Sequence, residues 1–338
     1  MLDKLYEAMY LKAFVNIVIS PSKTTVYIEM LNKKDIVNSS EEVFETKHFS
    51  IEMREYILSF TKETPFFYIS ILDNSTSQGV IPTCAKNKVG YFYDVSASEH
   101  KCYNDKWTYY TSKSDIYAIE KIYEKIGTDF IFSPFVVLAN FFKDKINSHL
   151  AMFILIEEGA ISLSIFNNSQ LLYGNYLDIE VDLETSDELI MDEIEDDMDI
   201  DLDESSIDLD DIDSIDELDD FGDIADLDAI DDIDEFSETK DVQAELEERE
   251  DEVEFSEDVS VGLNEDYKRF VLIQSSVNDF YKDEKYSSEF IENTYIADTV
   301  GLSSDLKKLL EEEMFLNVYV RHIDLMREVC EVAKMEVS

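Results

Sequence analysis

Between Glu180 and Asp258 the chain carries 40 Asp and Glu residues against two basic ones, Lys240 and Arg249. Of a formal net charge of −50, this stretch supplies −38. Like-charge repulsion at that density opposes burial, so the stretch cannot supply a core. The chain therefore has to fold from its flanks, Met1–Asp178 and Gly262–Ser338. These hold roughly 260 residues rich in Ile, Phe, Tyr and Leu, enough to bury a core. From Leu209 to Phe236 the apolar residues of the stretch fall at a fixed step of three (Leu209, Ile212, Ile215, Leu218, Phe221 and onward). On a helix a step of three drifts by about 60°, so the positions circle the axis in about six steps and make no stripe. The expectation is an acidic, disordered segment carrying isolated apolar contacts. Docking of short pieces onto a basic partner, or spacing between crowded subunits, are roles it could serve. Asp197-x-Asp199-x-Asp201 is the best calcium candidate, but Leu202 stands where an EF-hand loop needs glycine.

Outside the stretch the chain is mildly acidic, so no basic footprint for nucleic acid or anionic lipid exists. Cys84, Cys102 and Cys330 are odd in number and lack metal-like spacing, and are expected as reduced thiols of a cytosolic protein. No apolar run reaches 18 residues, and the N-terminal MLDKLYEAMYLKAF has no signal-peptide core. Action at a membrane would need a partner to hold the chain there.

In chain order, Ala13–Ser20 reads as a buried strand, followed by the turn Pro21-Ser22-Lys23. Thr24–Leu31 reads as a second strand, and Asp35–Val37 with Val43–Phe49 as a third. Ser50 caps a helix over Ile51–Thr61, and Phe66–Leu72 is a further strand. Asp73–Thr111 reads as a small strand-containing excursion with aromatics at Tyr103, Trp107, Tyr109 and Tyr110. Helices follow over Ile116–Ile126, ended by Gly127, and over Phe135–Ile146 after Ser133-Pro134. Leu150–Ile156, Ala160–Phe166 and Gln170–Tyr176 form three strands. Beyond the acidic stretch come a long helix over Asn264–Tyr281, a strand at Phe290–Ala297, a Ser303-capped helix to Glu313, a strand beginning at Asn317–Tyr319, and a helix over Leu325–Lys334.

That order resembles the actin-like ATPase superfamily, in particular PilM-like proteins, with the cytoplasmic part of GspL-type secretion proteins nearby. Ile17–Thr25 sits where the first phosphate loop belongs. Leu155–Ser162 is similar to the second phosphate loop, and Tyr295–Leu302 to the adenosine loop. The resemblance implies an α/β fold with mixed sheets, actin-like (ribonuclease H-like), two-lobed and interrupted by a long insertion. The first lobe would span 1–133 with an excursion at about 74–112. The second would join 134–178 to 262–338, with 179–261 as the acidic disordered insertion.

The departures bear on chemistry. The family's first loop is Asp-x-Gly-Ser, whose glycine lets backbone N–H groups approach phosphate. Here Val18 and Ser20 hold those positions and Pro21 removes a donor. The second loop keeps Glu157 and Gly159 but adds Glu158. The adenosine loop has Asp298-Thr299 in place of a glycine pair. Lys23 is the nearby cation and reads equally as a surface turn lysine. A degenerate nucleotide site is thus expected around Ser20, Ser22, Lys23, Glu157, Gly159, Asp298 and Gly301, with no cofactor and at most weak ATP binding. No catalytic or metal residues are assigned: the four histidines are scattered, and no Walker loop or Gly-x-Ser-x-Gly occurs.

PilM-like proteins are cytoplasmic scaffolds that bind the short tail of a PilN-like inner-membrane protein. The resemblance implies a non-enzymatic adaptor at the inner membrane, forming a ring or cage under a type IV pilus, a type II secretion system or a flagellar motor with pilus-like parts. It would touch the membrane only through its partner and bind no nucleic acid. Tyr103, Trp107, Tyr109 and Tyr110 could line the partner groove; the alternative is that they fill the excursion's own core. An active actin-like ATPase, and an acidic chaperone or nucleic-acid mimic, are the competing readings.

Overall fold

The computed structural model describes residues 10–62, 64–179, 257–286, 288–302 and 304–337, without the side chains of 257–264 and 304. The acidic stretch, with its step of three and Asp197, Asp199 and Asp201, lies outside the described residues apart from the backbone at its end, as do Ser303 and most of the N-terminal amphipathic segment.

The first sheet is built from β1 (Lys12–Ile19), β2 (Thr24–Asn32), β3 (Asp35–Phe44), β4 (Phe66–Leu72) and β8 (Phe130–Phe132), in the order β3-β2-β1-β4-β8. β1, β2 and β3 are antiparallel, and β4 and β8 add in parallel. The second sheet repeats this plan. β9 (Ala151–Ile156), β10 (Ala160–Asn167), β11 (Gln170–Asp178), β12 (Asn293–Asp298) and β13 (Asn317–His322) lie in the order β11-β10-β9-β12-β13. Again the first three are antiparallel and the last two parallel. This connectivity meets the actin-like expectation strand for strand. It also places the acidic stretch: β12 pairs with β9 from Thr294↔Met152 to Asp298↔Ile156, so the chain resumes the sheet it left at β11. The intervening residues interrupt one sheet.

Helices fill the spaces beside and between the sheets. They are α1 (Ile51–Thr61), α2 (Lys86–Phe92), α3 (Lys113–Tyr123), α4 (Pro134–Phe141), α5 (Glu257–Lys282), α6 (Ser304–Glu313) and α7 (Leu325–Val337). Strand alternation sorts the core. On β9, Met152, Ile154 and Ile156 face one cluster with Phe270, Ile273, Phe280, Leu306 and Leu310 of α5 and α6. Ala151, Phe153 and Leu155 face the opposite way, onto α4, α7 and the inner face of the first sheet. Val15 and Ile17 of β1 face α1 and α3 through Met53, Ile57, Ile119 and Tyr123. The layers thus run helix, sheet, helix, sheet, helix, and the two central helices join the sheets.

A third sheet, β5-β7-β6, holds β5 (Gln78–Ile81), β6 (Ser98–Tyr103) and β7 (Trp107–Ser112). β5 also lies against β11 of the second sheet: a Cβ on Gly174 would overlap Val80 Cγ2, so only glycine fits there.

Some boundaries differ from the expectation. The third strand is continuous, because antiparallel pairing to β2 carries the polar residues Asn38–Glu42. α4 ends at Phe141, where Phe142 leaves helical geometry at ψ 22°, and turns follow. β12 begins at Asn293: Phe290 is exposed, and pairing starts only where Asn317 N–H reaches Glu292 O. The expectation of three reduced thiols is also corrected. Cys84 and Cys102 form a disulfide with Cα atoms 5.5 Å apart, while Cys330 is free and buried. Ile81 and Cys102 are both registered on Thr108, so β7 brings their two strands alongside each other.

Candidate functional site, a cleft between two turns

The β1–β2 turn of the first sheet and the β9–β10 turn of the second face each other across a cleft. Ser20 N–H donates to Lys23 O at 2.8 Å, closing the first turn, with Pro21, Ser22 and Lys23 exposed at its tip. Glu157 N–H donates to Ala160 O at 2.9 Å, closing the second. The turns touch. Pro21 Cγ lies 2.6 Å from where a Cβ on Gly159 would stand, and Ser22 Oγ donates to Glu158 Oε1 at 3.2 Å.

The β12–α6 loop closes the third side. Thr299 donates its N–H and its hydroxyl to Ile156 O, at 3.2 and 2.9 Å, which ties this loop to the end of β9. The buried Asp298 carboxylate accepts from Val300 N–H and Gly301 N–H through Oδ1, at 2.9 and 3.0 Å, and from Leu302 N–H through Oδ2 at 2.9 Å. An acidic side chain thus satisfies donors ahead of α6, as a capping carboxylate does at a helix N-terminus. Gly301 takes φ +80°, where a side chain would be strained.

Around these turns lie a cavity of about 530 Å³, bordered by Ser20, Lys23, Glu41, Glu157, Thr299 and His322, and one of about 210 Å³ beside Pro21, Glu157, Gly159 and Tyr176. Burial pushes Glu157 up to about 7, so it is half-protonated near neutral pH. Burial also raises the Tyr176 phenol, and the nearby Glu157 adds to the shift. Among the described residues no group of His, Cys, Asp and Glu could hold a metal ion.

The structure therefore gathers Ser20, Ser22, Lys23, Glu157 and Gly159 at one cleft, with Asp298 and Gly301 in the adjoining loop. Glu158, Glu41 and His322 join the lining, and sequence offered no signal for the last two: they come from β3 and β13, distant in the chain. The four aromatics of the excursion do not share a face. On β7, Trp107 and Tyr109 point one way and Tyr110 the other, as strand alternation requires. Trp107 is buried at 2% exposure and meets Phe166 edge-on with centroids 6.2 Å apart. Tyr110 stacks on Tyr93 at 4.0 Å on the far face. Tyr103 and Trp107 line a groove of about 460 Å³ with Phe166, Met335, Lys106 and Lys143.

Two sheets of one connectivity, joined by central helices and meeting at a cleft of two turns and a capped loop, define an actin-like fold. The chain belongs to the family described as domain of unknown function DUF8341, whose profile matches residues 152–338. A second profile, domain of unknown function DUF8569, matches residues 10–139. No curated protein matches the chain. Similar solved structures include a Bacteroides thetaiotaomicron protein with actin-like ATPase fold and unknown function, at 10% identity and TM-score 0.48, covering 95% of this chain and 96% of that one. A PilM–PilN type IV pilus biogenesis complex gives 10% identity and TM-score 0.44, covering 94% of this chain and 89% of that one. Acetate kinase from Entamoeba histolytica gives 8% identity and TM-score 0.42, covering 96% and 99%. No helix among the described residues is long and apolar enough to cross a membrane.

Proposed function

We propose that this chain is a non-catalytic scaffold that uses an actin-like frame to hold a partner. The observation that carries the reading is the contact of Pro21 with Gly159. In an actin-like ATPase, phosphate lies between the corresponding turns, cradled by backbone N–H groups. Here proline replaces a donor, its ring packs onto Gly159, and Asp298 accepts the N–H groups of the third loop. The acids Glu157, Glu158 and Asp298 would also repel a polyphosphate. The two lobes, 1–133 and 134–178 with 262–338, form one fixed body in this reading.

The partner follows from the sequence resemblance: the tail of a PilN-like single-pass inner-membrane protein, bound beside Tyr103 and Trp107 in the groove of about 460 Å³. The chain would then be a cytoplasmic protein peripheral to the inner membrane, assembled as a ring or oligomer under a pilus, secretion or flagellar machine. Calorimetry tests both halves. Mg-ATP is expected to give no binding heat and no turnover, while the first residues of such a partner, as a short apolar peptide, bind. ATP turnover lost in E157A would overturn the non-catalytic reading, and a silent peptide titration would overturn the partner.

A further inference from the structure

The disulfide is untouched by the scaffold reading and does not depend on it. Cys102 lies exposed on β6, an edge strand of the small sheet, so its sulfur is open to attack from solvent. Cys84 is half-buried in the segment between β5 and α2. The crosslink passes over the central strand β7 and fastens that segment to the opposite edge. Cys84 Sγ lies 3.2 Å from Trp107 O, so a released thiol has an acceptor already in place. What the crosslink fastens also matters. Just beyond Cys84, α2 ends in Phe92 and Tyr93. Phe92 stacks on Tyr286, which follows α5, with centroids 6.1 Å apart, and Tyr93 stacks on Tyr110. The α2 segment is thus a clasp between the small sheet and the chain after α5.

We propose that Cys84 and Cys102 are a thiol–disulfide exchange site, reactive with small thiols such as glutathione, which fastens the α2 clasp when oxidised and frees it when reduced. A glutathione thiolate attacks Cys102 sulfur, and Cys84 leaves as a thiolate and takes a proton. A second glutathione thiolate attacks the glutathione sulfur of the mixed disulfide and releases Cys102. Two glutathione thiols become one glutathione disulfide as the protein disulfide is reduced. Attack enters at Cys102 because of the two sulfurs it is the exposed one.

The full-length protein is equilibrated with glutathione disulfide or with excess glutathione, quenched, unfolded and labelled with a maleimide. The oxidised form is expected to take one label, at Cys330, and the reduced form three. Limited proteolysis should cut within residues 82–93 only in the reduced form. Three labels after glutathione disulfide would overturn the exchange site. A change from one label to three with no change in cleavage would overturn the clasp.

Discussion

Pro21 occupies the space over Gly159 that any side chain at that position would need, its Cγ 2.6 Å from the Cβ site. One turn belongs to the first sheet and the other to the second, so this contact joins the sheets at the open end of the cleft. At the other end they are joined by α4 and α7, which share one apolar cluster with both.

A G159A substitution tests that contact directly. The added methyl meets a proline ring and two short turns with little slack, and overpacking of this kind costs about 1–3 kcal/mol. Urea unfolding should show G159A destabilised by that amount and P21A–G159A returned close to the parent. If G159A is neutral, the turns are not in contact.

A second prediction concerns Asp298. Its carboxylate is buried and accepts from three successive backbone N–H groups. Removing a capping carboxylate with such bonds costs about 2 kcal/mol. D298A should therefore lower stability by about that much in thermal or urea unfolding, and D298N by less, since an amide oxygen still accepts. An unchanged midpoint for D298A would show that the loop does not depend on its own acid.

Strands β1, β2, β9, β10 and β12 were legible because they are short runs, largely apolar and buried on two faces. In β9, AMFILI sends Phe153 and Ile154 into different clusters, yet both must be apolar. The turns were legible from Pro21 and Gly159. The small sheet was legible only as a strand-containing excursion, without its individual strands: β5 is QGVI and β6 is SEHKCY, with weak alternation. The faces of Trp107 and Tyr110 follow from alternation only once β7 is known to be a strand. The Cys84–Cys102 crosslink and the pairing of Glu29 with Lys334 depend on contacts distant in sequence, and no local pattern marks them.

The raised Glu157 makes a pH prediction. Its folded value is about 7, above the ordinary glutamate value, because burial disfavours the charge. Between about pH 4.5 and 7 the folded state therefore holds more proton than the unfolded state, and stability from this group falls as pH rises through that window. Each pH unit across that window is worth about 1.4 kcal/mol, so the loss is at most about 3.5 kcal/mol. E157Q removes the titration. Relative to the parent, it should gain stability steadily between pH 5 and pH 8 and level off above. A constant difference across that range in urea unfolding would mean that Glu157 is not held in a dry site.

The last prediction lies at the joined end. Lys334 of α7 pairs with Glu29 of β2, beneath the first sheet, where Glu29 also accepts from Tyr27 Oη at 2.9 Å. Burial alone would lower the Lys334 pKa. The hydrogen bonds with Glu29 and Glu331 outweigh it and hold the value above that of ordinary lysine. A folded value above the unfolded one makes this pairing fully present below the unfolded lysine pKa, so it holds across the neutral range. Glu29 is only 3% exposed, and K334M would leave its charge buried without this cation. Breaking a buried pair from one side costs about 3–5 kcal/mol, whereas replacing both partners is often near neutral. K334M should thus lose about 3 kcal/mol or more in urea unfolding, and E29Q–K334M should recover most of it. Equal losses in the single and double variants would show that α7 is held to the first sheet by apolar packing through Val329 and Ala333 alone.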